Sequence, residues 1–429
     1  MEGTYKKEHI LIFILAILIL SLFLKKFPEN YRLFIFIISC LISFNNVYSF
    51  IFLLVASILI PDNGFYSFTA TQIATILFVS ISFIRYKKIY VFSPKHIHYF
   101  VLFIIWLLFT SILNKDGFIL KEVLKGFIIG FIFYNSISLS NLNNFKAVYY
   151  KLLGLAIIIP IIFSNILKID IFYSENMRSP LFVGYEGIRF AGIKQDPNAL
   201  AVIINLIIWG FFNLVMKENK PKILKIILYL LIILSGLYIL IYTQSRGGYI
   251  LFVFGALITL IFQFIQTKKG IIRNKKKLYF ILAAVLIGGT IIVIKNHYII
   301  SLVLKNLYEK KLDYRSANYK DALAIIIDNP YFGYGFEKYV FKENFGYPHN
   351  TFLDVGVASG LVGILLFFII TLIPILIYFK NNLIKNISGS IVLIFYLLIL
   401  LAMQSLSMHG DKLFWINWFW LLKISENNG

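Results

Sequence analysis

Residues 351–379, TFLDVGVASGLVGILLFFIITLIPILIYF, run almost without charge for longer than the roughly 20 residues a helix needs to cross a bilayer. The pattern repeats on both sides of this stretch. Further apolar runs lie near 9–24, 33–45, 47–60, 67–84, 97–113, 119–140, 146–165, 198–216, 222–242, 247–266, 278–295, 387–407 and 412–423. They are continuous, whereas a membrane barrel would show alternating segments of about ten residues. The chain has 429 residues, 59% of them hydrophobic and 14% charged, against about 25% charged in soluble domains. A soluble or a disordered protein is excluded. The predicted fold is all-α: one polytopic membrane domain over residues 1–429, with about 12–14 transmembrane helices depending on whether 33–60 is one helix or two. The first run, Ile10–Leu24, ends in Lys25-Lys26 without a small-residue cleavage site and reads as a retained span.

Lys and Arg number 41 and Asp and Glu 20, a formal net charge of +21. The basic residues cluster in short runs between apolar stretches, as the positive-inside rule requires, so no nucleic-acid partner is expected. Arg85–Lys88, Lys217–Lys222, Lys268–Lys277 and Lys380–Lys385 should face the cytoplasm. The segments near 166–197, Thr243–Gly248 and 296–350 then fall on the extracytoplasmic side, the last with an expected amphipathic helix. The single cysteine, Cys40, allows neither an internal disulfide nor a cysteine metal cluster. His96, His98 and His409 are gathered by neither spacing nor side, so no metal site is expected. The span interiors hold almost no acid or base, which weighs against an ion-coupled transporter.

Four polar groups collect on the predicted outer face. The first contains Arg189 and Asp196-Pro197-Asn198; Asn198 is a candidate N-cap, and Arg189 beside a helix N-terminus suits an anion. The second is Thr243–Tyr249, where Ser245-Arg246-Gly247 joins two spans in a short turn. The third is a helical pattern from Asp313 to Ile327 carrying Arg315, ended by Asp328-Asn329-Pro330-Tyr331-Phe332-Gly333-Tyr334-Gly335. The fourth is His349-Asn350-Thr351, in which Asn350 or Thr351 can cap the next span and His349 can exchange a proton near neutral pH. Gly356, Gly360 and Gly363 follow at a spacing suited to close helix packing. Each group also has a bland reading as a turn, a cap or an interfacial anchor.

In this order the four groups resemble the O-antigen ligase/polymerase-like family. Its pattern is an Arg-x-x-Gly…Pro-Asn segment, a Ser-Arg-Gly turn, an Arg-bearing helix before Pro-x-x-Gly-x-Gly, and His-Asn-x-x-Leu before a Gly-rich span. These correspond to Arg189–Asn198, Ser245–Gly247, Arg315–Gly335 and His349–Gly363, within a resemblance covering roughly residues 45–425. The resemblance implies a helical fold like that of lipid-carrier-dependent glycosyltransferases in the bacterial plasma membrane, with an outward-facing site. It implies a metal-independent glycosyltransferase with no cofactor, acting on an undecaprenyl-diphosphate-linked oligosaccharide. Arg189, Arg246 and Arg315 would bind the diphosphate, and His349 would be either the base or a phosphate ligand. Arg246 also counts among the catalytic residues, and Asn198, Ser245 and Asn350 support them. Both a polymerase and an O-antigen ligase fit, and a lipid-linked sugar flippase is a weaker alternative. The lipid bilayer, a chain-length regulator and a flippase are the partners this reading suggests.

Overall fold

The computed structural model describes residues 96–138, 196–217, 223–268, 314–342, 346–382 and 387–426. Nine α-helices occupy them: α1 (Ile97–Asn114), α2 (Phe118–Ser138), α3 (Pro197–Lys217), α4 (Ile223–Thr243), α5 (Arg246–Lys268), α6 (Tyr314–Asp328), α7 (Thr351–Asn382), α8 (Ile387–Ala402) and α9 (Lys412–Glu426). A short π-helical turn, Lys338–Lys342, precedes α7. Among the described residues every regular element is helical, and five helical stretches are long and apolar enough to cross a membrane: Ile97–Asn114, Pro197–Met216, Ile226–Thr243, Arg246–Ile265 and Thr351–Lys380. This is a polytopic all-α membrane protein. The expected spans in the first 92 residues, at 146–165 and at 278–295, and the loop near 166–195, lie outside the described residues.

Two compact units divide the chain. One comprises Met1–Phe92, Ile132–Arg178 and Gly184–Leu200; its described parts are the end of α2 and the first turn of α3. The other comprises Ser93–Phe131, Ser179–Val183 and Ala201–Gly429 and holds the rest of the described helices. In this second unit α7 is the central post, packed by α1, α6, α8 and α9, while α5 packs on α8. Aromatic residues fill the joint: Trp415, Trp418 and Trp420 of α9 are fully buried. Gly126 and Gly130 of α2 let that helix approach the Trp415 and Phe419 side chains closely. Leu102, Ile105 and Ile112 of α1, Val253, Leu257 and Ile261 of α5, and Leu361, Leu365 and Leu376 of α7 remain exposed, as a lipid-facing surface requires.

Apolar surroundings leave no water for stray backbone groups, so each break in a span needs a protein partner. α7 breaks twice. Gly360 has φ 71° and ψ −170°, a conformation open essentially to glycine alone. The N–H groups of Tyr334 and Gly335 donate to the Val357 carbonyl at 2.8 and 3.1 Å. Asn114 Nδ2 donates to the Ala358 carbonyl at 3.2 Å and Trp106 Nε1 to that of Ser359 at 3.0 Å. Leu361 N–H, in return, donates to the Pro330 carbonyl at 2.7 Å. The Gly-rich stretch is therefore more than a packing face: at Gly360 it is a break filled by the Pro330–Gly335 turn. The second break follows from Pro374, which has no N–H for the Ile370 carbonyl. Trp418 Nε1 supplies that donor at 2.9 Å, and Tyr396 Oη donates to the neighbouring Thr371 carbonyl at 2.9 Å.

Candidate functional site

α5 begins at the Ser-Arg-Gly turn. α4 ends at Thr243, Gln244 takes a left-handed conformation with φ 49°, and Ser245 caps α5 by accepting from Gly248 N–H at 3.1 Å. Arg246 is thereby the first helical residue, half-buried at the end of the bundle. A Cβ at Gly248 would strike that of Ala201 at 2.6 Å, and buried Asn205 of α3 donates to the Gly248 carbonyl at 3.0 Å. The Gly-Gly pair thus lets α3 hold the turn from behind. A Cβ at Gly247 would lie 3.3 Å from Ser405 Oγ, so the turn borders the α8–α9 connection on its other side.

That connection, residues 403–411, is the centre of the site. Its Gln404 carbonyl accepts from Tyr319 Oη of α6 at 2.7 Å and from Asn350 Nδ2 at 3.3 Å. Thr351 N–H donates to the Met403 carbonyl at 2.9 Å. Thr351 Oγ1 donates to the Leu406 carbonyl at 2.7 Å and accepts from Met408 N–H at 2.9 Å. On the far side Gly410 packs closely on Glu122 of α2. Three of the four polar groups read from the sequence therefore meet around the single 403–411 turn, whose importance the sequence reading missed. The available signal was its polar interruption, Ser405–Asp411, between two apolar runs.

Asn350 caps α7, its Oδ1 accepting from Phe352 and Leu353 N–H at 3.0 and 3.2 Å. Thr351 instead ties the helix to the turn. His349 is half-buried and left-handed, with φ 53°. For a residue with a Cβ this costs about 1–2 kcal/mol, which the capped helix behind it and Tyr347 before it must offset. Asn318 of α6 donates to the Tyr347 carbonyl at 2.8 Å, and the Tyr347 and His349 ring centroids are 6.0 Å apart. Burial and then the Asp354 carboxylate push the Tyr347 phenol above its ordinary pKa, so it stays a protonated donor at neutral pH. Arg315 sits in the first turn of α6, one turn ahead of Tyr319. Asp116 joins the next layer: its carboxylate accepts from Phe118 N–H at 3.0 Å and Glu337 N–H at 2.5 Å, pinning the Pro330–Glu337 segment to the start of α2.

One expectation changes. The N-cap of α3 is Asp196, not Asn198: Asp196 Oδ1 accepts from Asn198 N–H at 2.8 Å and its carbonyl from Leu200 N–H at 2.9 Å. Pro197 then takes the first helical position, where its missing N–H costs nothing, and Asn198 the second. His409, which sequence spacing gave no partner, lies with Nδ1 3.7 Å from Asp354 Oδ2, both side chains buried. Arg189 lies outside the described residues. Among the described residues no three His, Cys, Asp or Glu side chains gather as metal ligands would.

The site elements can do two things chemically. A helix N-terminus whose first residue is an arginine, as at α5 with Arg246, is the kind of place that favours an anion. Histidine, here at position 349 just before α7, is a residue type that can exchange a proton. Residues 230–368 match a family described as O-antigen ligase, a range that runs from α4 through the Ser-Arg-Gly turn, α6 and His349 into α7. A protein of Haemophilus influenzae, named only as uncharacterized, is 27% identical over 222 residues, 45% of this chain and 51% of its own length; the matched stretch spans about half of that relative.

Proposed function

From the match of residues 230–368 to a family described as O-antigen ligase, we propose that this chain is a polysaccharide polymerase of the bacterial plasma membrane. In this reading it transfers a growing glycan from undecaprenyl diphosphate to a lipid-linked repeat unit at the outer face. The observation that carries the reading is the convergence of the Arg246 turn, α6 and His349-Asn350 on residues 403–408. A cation, a helix N-terminus and a histidine at one end of a bundle suit a donor with a membrane-embedded tail and a diphosphate head.

The reaction breaks the bond between the anomeric carbon and the diphosphate oxygen and forms one from that carbon to the acceptor oxygen. The electron pair leaves with the lipid diphosphate. Arg246 and Arg315, with Arg189, bind its oxygens and stabilise the growing charge, each guanidinium being permanently charged and able to grip two oxygens. His349 accepts the acceptor hydroxyl proton. Ser245, Asn350 and Asn198 act through the helix starts that hold these groups. Cations at the leaving group make a divalent metal unnecessary in this scheme.

The family description favours one second reading, an O-antigen ligase, in which the same donor meets a lipid A-core acceptor. Purified protein given only lipid-linked repeat units separates the two. A ladder of glycan lengths is expected of a polymerase. Product formed only when lipid A-core is added would replace it with the ligase, and no transfer to either acceptor would refute the glycosyltransferase.

A further inference from the structure

Asp354 is fully buried in the first turn of α7, and neither carboxylate oxygen has a hydrogen-bond partner. Facing it at 3.7 Å is His409 Nδ1, also buried and also without a hydrogen bond. Tyr347 is the other titratable group that feels this carboxylate, and the Phe336 ring packs edge-on to His409 with centroids 6.3 Å apart. A buried carboxylate whose oxygens accept nothing is costly, and a buried acid–base pair adds little net stability compared with apolar side chains of the same volume. Its best-attested use is to fix one arrangement among several. The place of this pair suggests what it fixes. Asp354 lies one turn behind the Asn350 cap, and His409 ends the turn that receives Thr351, Asn350 and Tyr319. Trp415 Nε1 anchors the His409 carbonyl at 2.8 Å, so the histidine is held from α9.

We infer that Asp354 and His409 are paired positioning residues that lock the start of α7 onto the 403–411 turn and so hold His349 in its left-handed, reactive placement. Asp354 sits in the first turn of α7, directly behind the cap that places His349. The 3.7 Å approach of the two buried side chains joins the start of α7 to the 403–411 turn without contact to the substrate. This rests on the transferase reading above, since the quantity it sets is the position of the proposed base.

The test is a double-mutant cycle on full-length purified protein with Asp354→Asn, His409→Gln and the double variant, all close to native volume. Turnover and KM for the lipid-linked repeat unit are measured beside amide hydrogen exchange of residues 346–354 and 403–411. Each single variant should lower kcat by about 10-fold to 100-fold, the scale of a misplaced reacting group, with KM changed little. The double variant should be no slower than the worse single one. Exchange in both segments should rise in the single variants while the α9 core stays protected. Additive losses, a rise in KM with kcat intact, or unchanged exchange would overturn the pairing. Failure of both single variants to reach the membrane, with the apolar replacement Asp354→Leu/His409→Phe failing too, would make the pair a folding element and equally overturn it. Wild-type protein with no transfer activity would sink the functional reading instead, while the exchange data would still decide whether the pair locks the two elements.

Discussion

The middle of α7 and its start solve the same problem in opposite ways. At Gly360 and Pro374 the carbonyls of Val357, Ala358, Ser359, Ile370 and Thr371 each receive a donor from a neighbouring element. At the start, Asp354 and His409 are buried facing each other, with neither carboxylate oxygen nor His409 Nδ1 hydrogen-bonded, and His349 is left-handed without being a glycine. The first region has its polar groups satisfied and its conformation relaxed onto glycine and proline. The second carries unpaired polar groups and backbone strain. Polar chemistry in a membrane bundle is usually a matter of repair, and where it is left unrepaired a function is the natural explanation.

The comparison can be broken most severely at the repaired region. Gly360→Leu adds a side chain that would collide with the Tyr331 carbonyl in a conformation closed to leucine. Several kcal/mol of destabilisation, roughly 3 or more, is expected from the combined strain and overlap. Its readout is loss of monodisperse protein after detergent extraction. Full accumulation would mean that the break is not required.

At the strained region the opposite pattern is expected, with folding kept and turnover lost. His349→Ala should cut polymer formation by about 10²-fold to 10⁴-fold at equal membrane levels, the usual worth of a general base. The protein should stay folded in the membrane, since the ring is only half-buried and alanine keeps the Cβ. Arg246→Lys should cost about 10²-fold, since lysine keeps the charge but loses the planar fork. Normal glycan ladders from Arg246→Lys would identify Arg246 as an interfacial anchor. Smaller again is Trp418→Phe, which removes the donor to the Ile370 carbonyl. About 1–3 kcal/mol of stability should be lost by thermal unfolding, with kcat near wild type. The smallest expected effect is none: EDTA should leave turnover unchanged, and loss restored by magnesium would contradict the arginine scheme.

Much of this was legible in the sequence because hydrophobic length is a one-dimensional signal. The runs at 97–113, 198–216, 222–242, 247–266 and 351–379 correspond to α1, α3, α4, α5 and α7 within a few residues. The cap at Asn350 followed from residue type at a helix start, where Asn350 and Thr351 were both candidates. At α3 the same rule pointed to Asn198, but Pro197 needs the first helical position, which moves the cap to Asp196. The Gly360 break was hidden because Gly356, Gly360 and Gly363 share a spacing with packing motifs, and only the donors of Tyr334, Gly335, Asn114 and Trp106 distinguish a break from a close approach. The Asp354–His409 pair was invisible for a simpler reason. Its members are far apart in the chain, and no local pattern announces a contact across that separation.

The central claim is that the Ser-Arg-Gly turn and the 403–411 turn adjoin at one end of the bundle, the end that the proposed function turns outward. Gly247→Cys with Ser405→Cys, in a background with Cys40 replaced by Ala, tests both halves. A Cβ at Gly247 would lie 3.3 Å from Ser405 Oγ, compatible with the Cβ–Cβ separation of about 3.8 Å in a disulfide. The expected result is that both cysteines react with an impermeant thiol reagent in intact cells, and that prior mild oxidation joins them and abolishes labelling. Labelling only after the cells are opened would put the site on the wrong side of the membrane, and labelling undiminished by oxidation would separate the two turns.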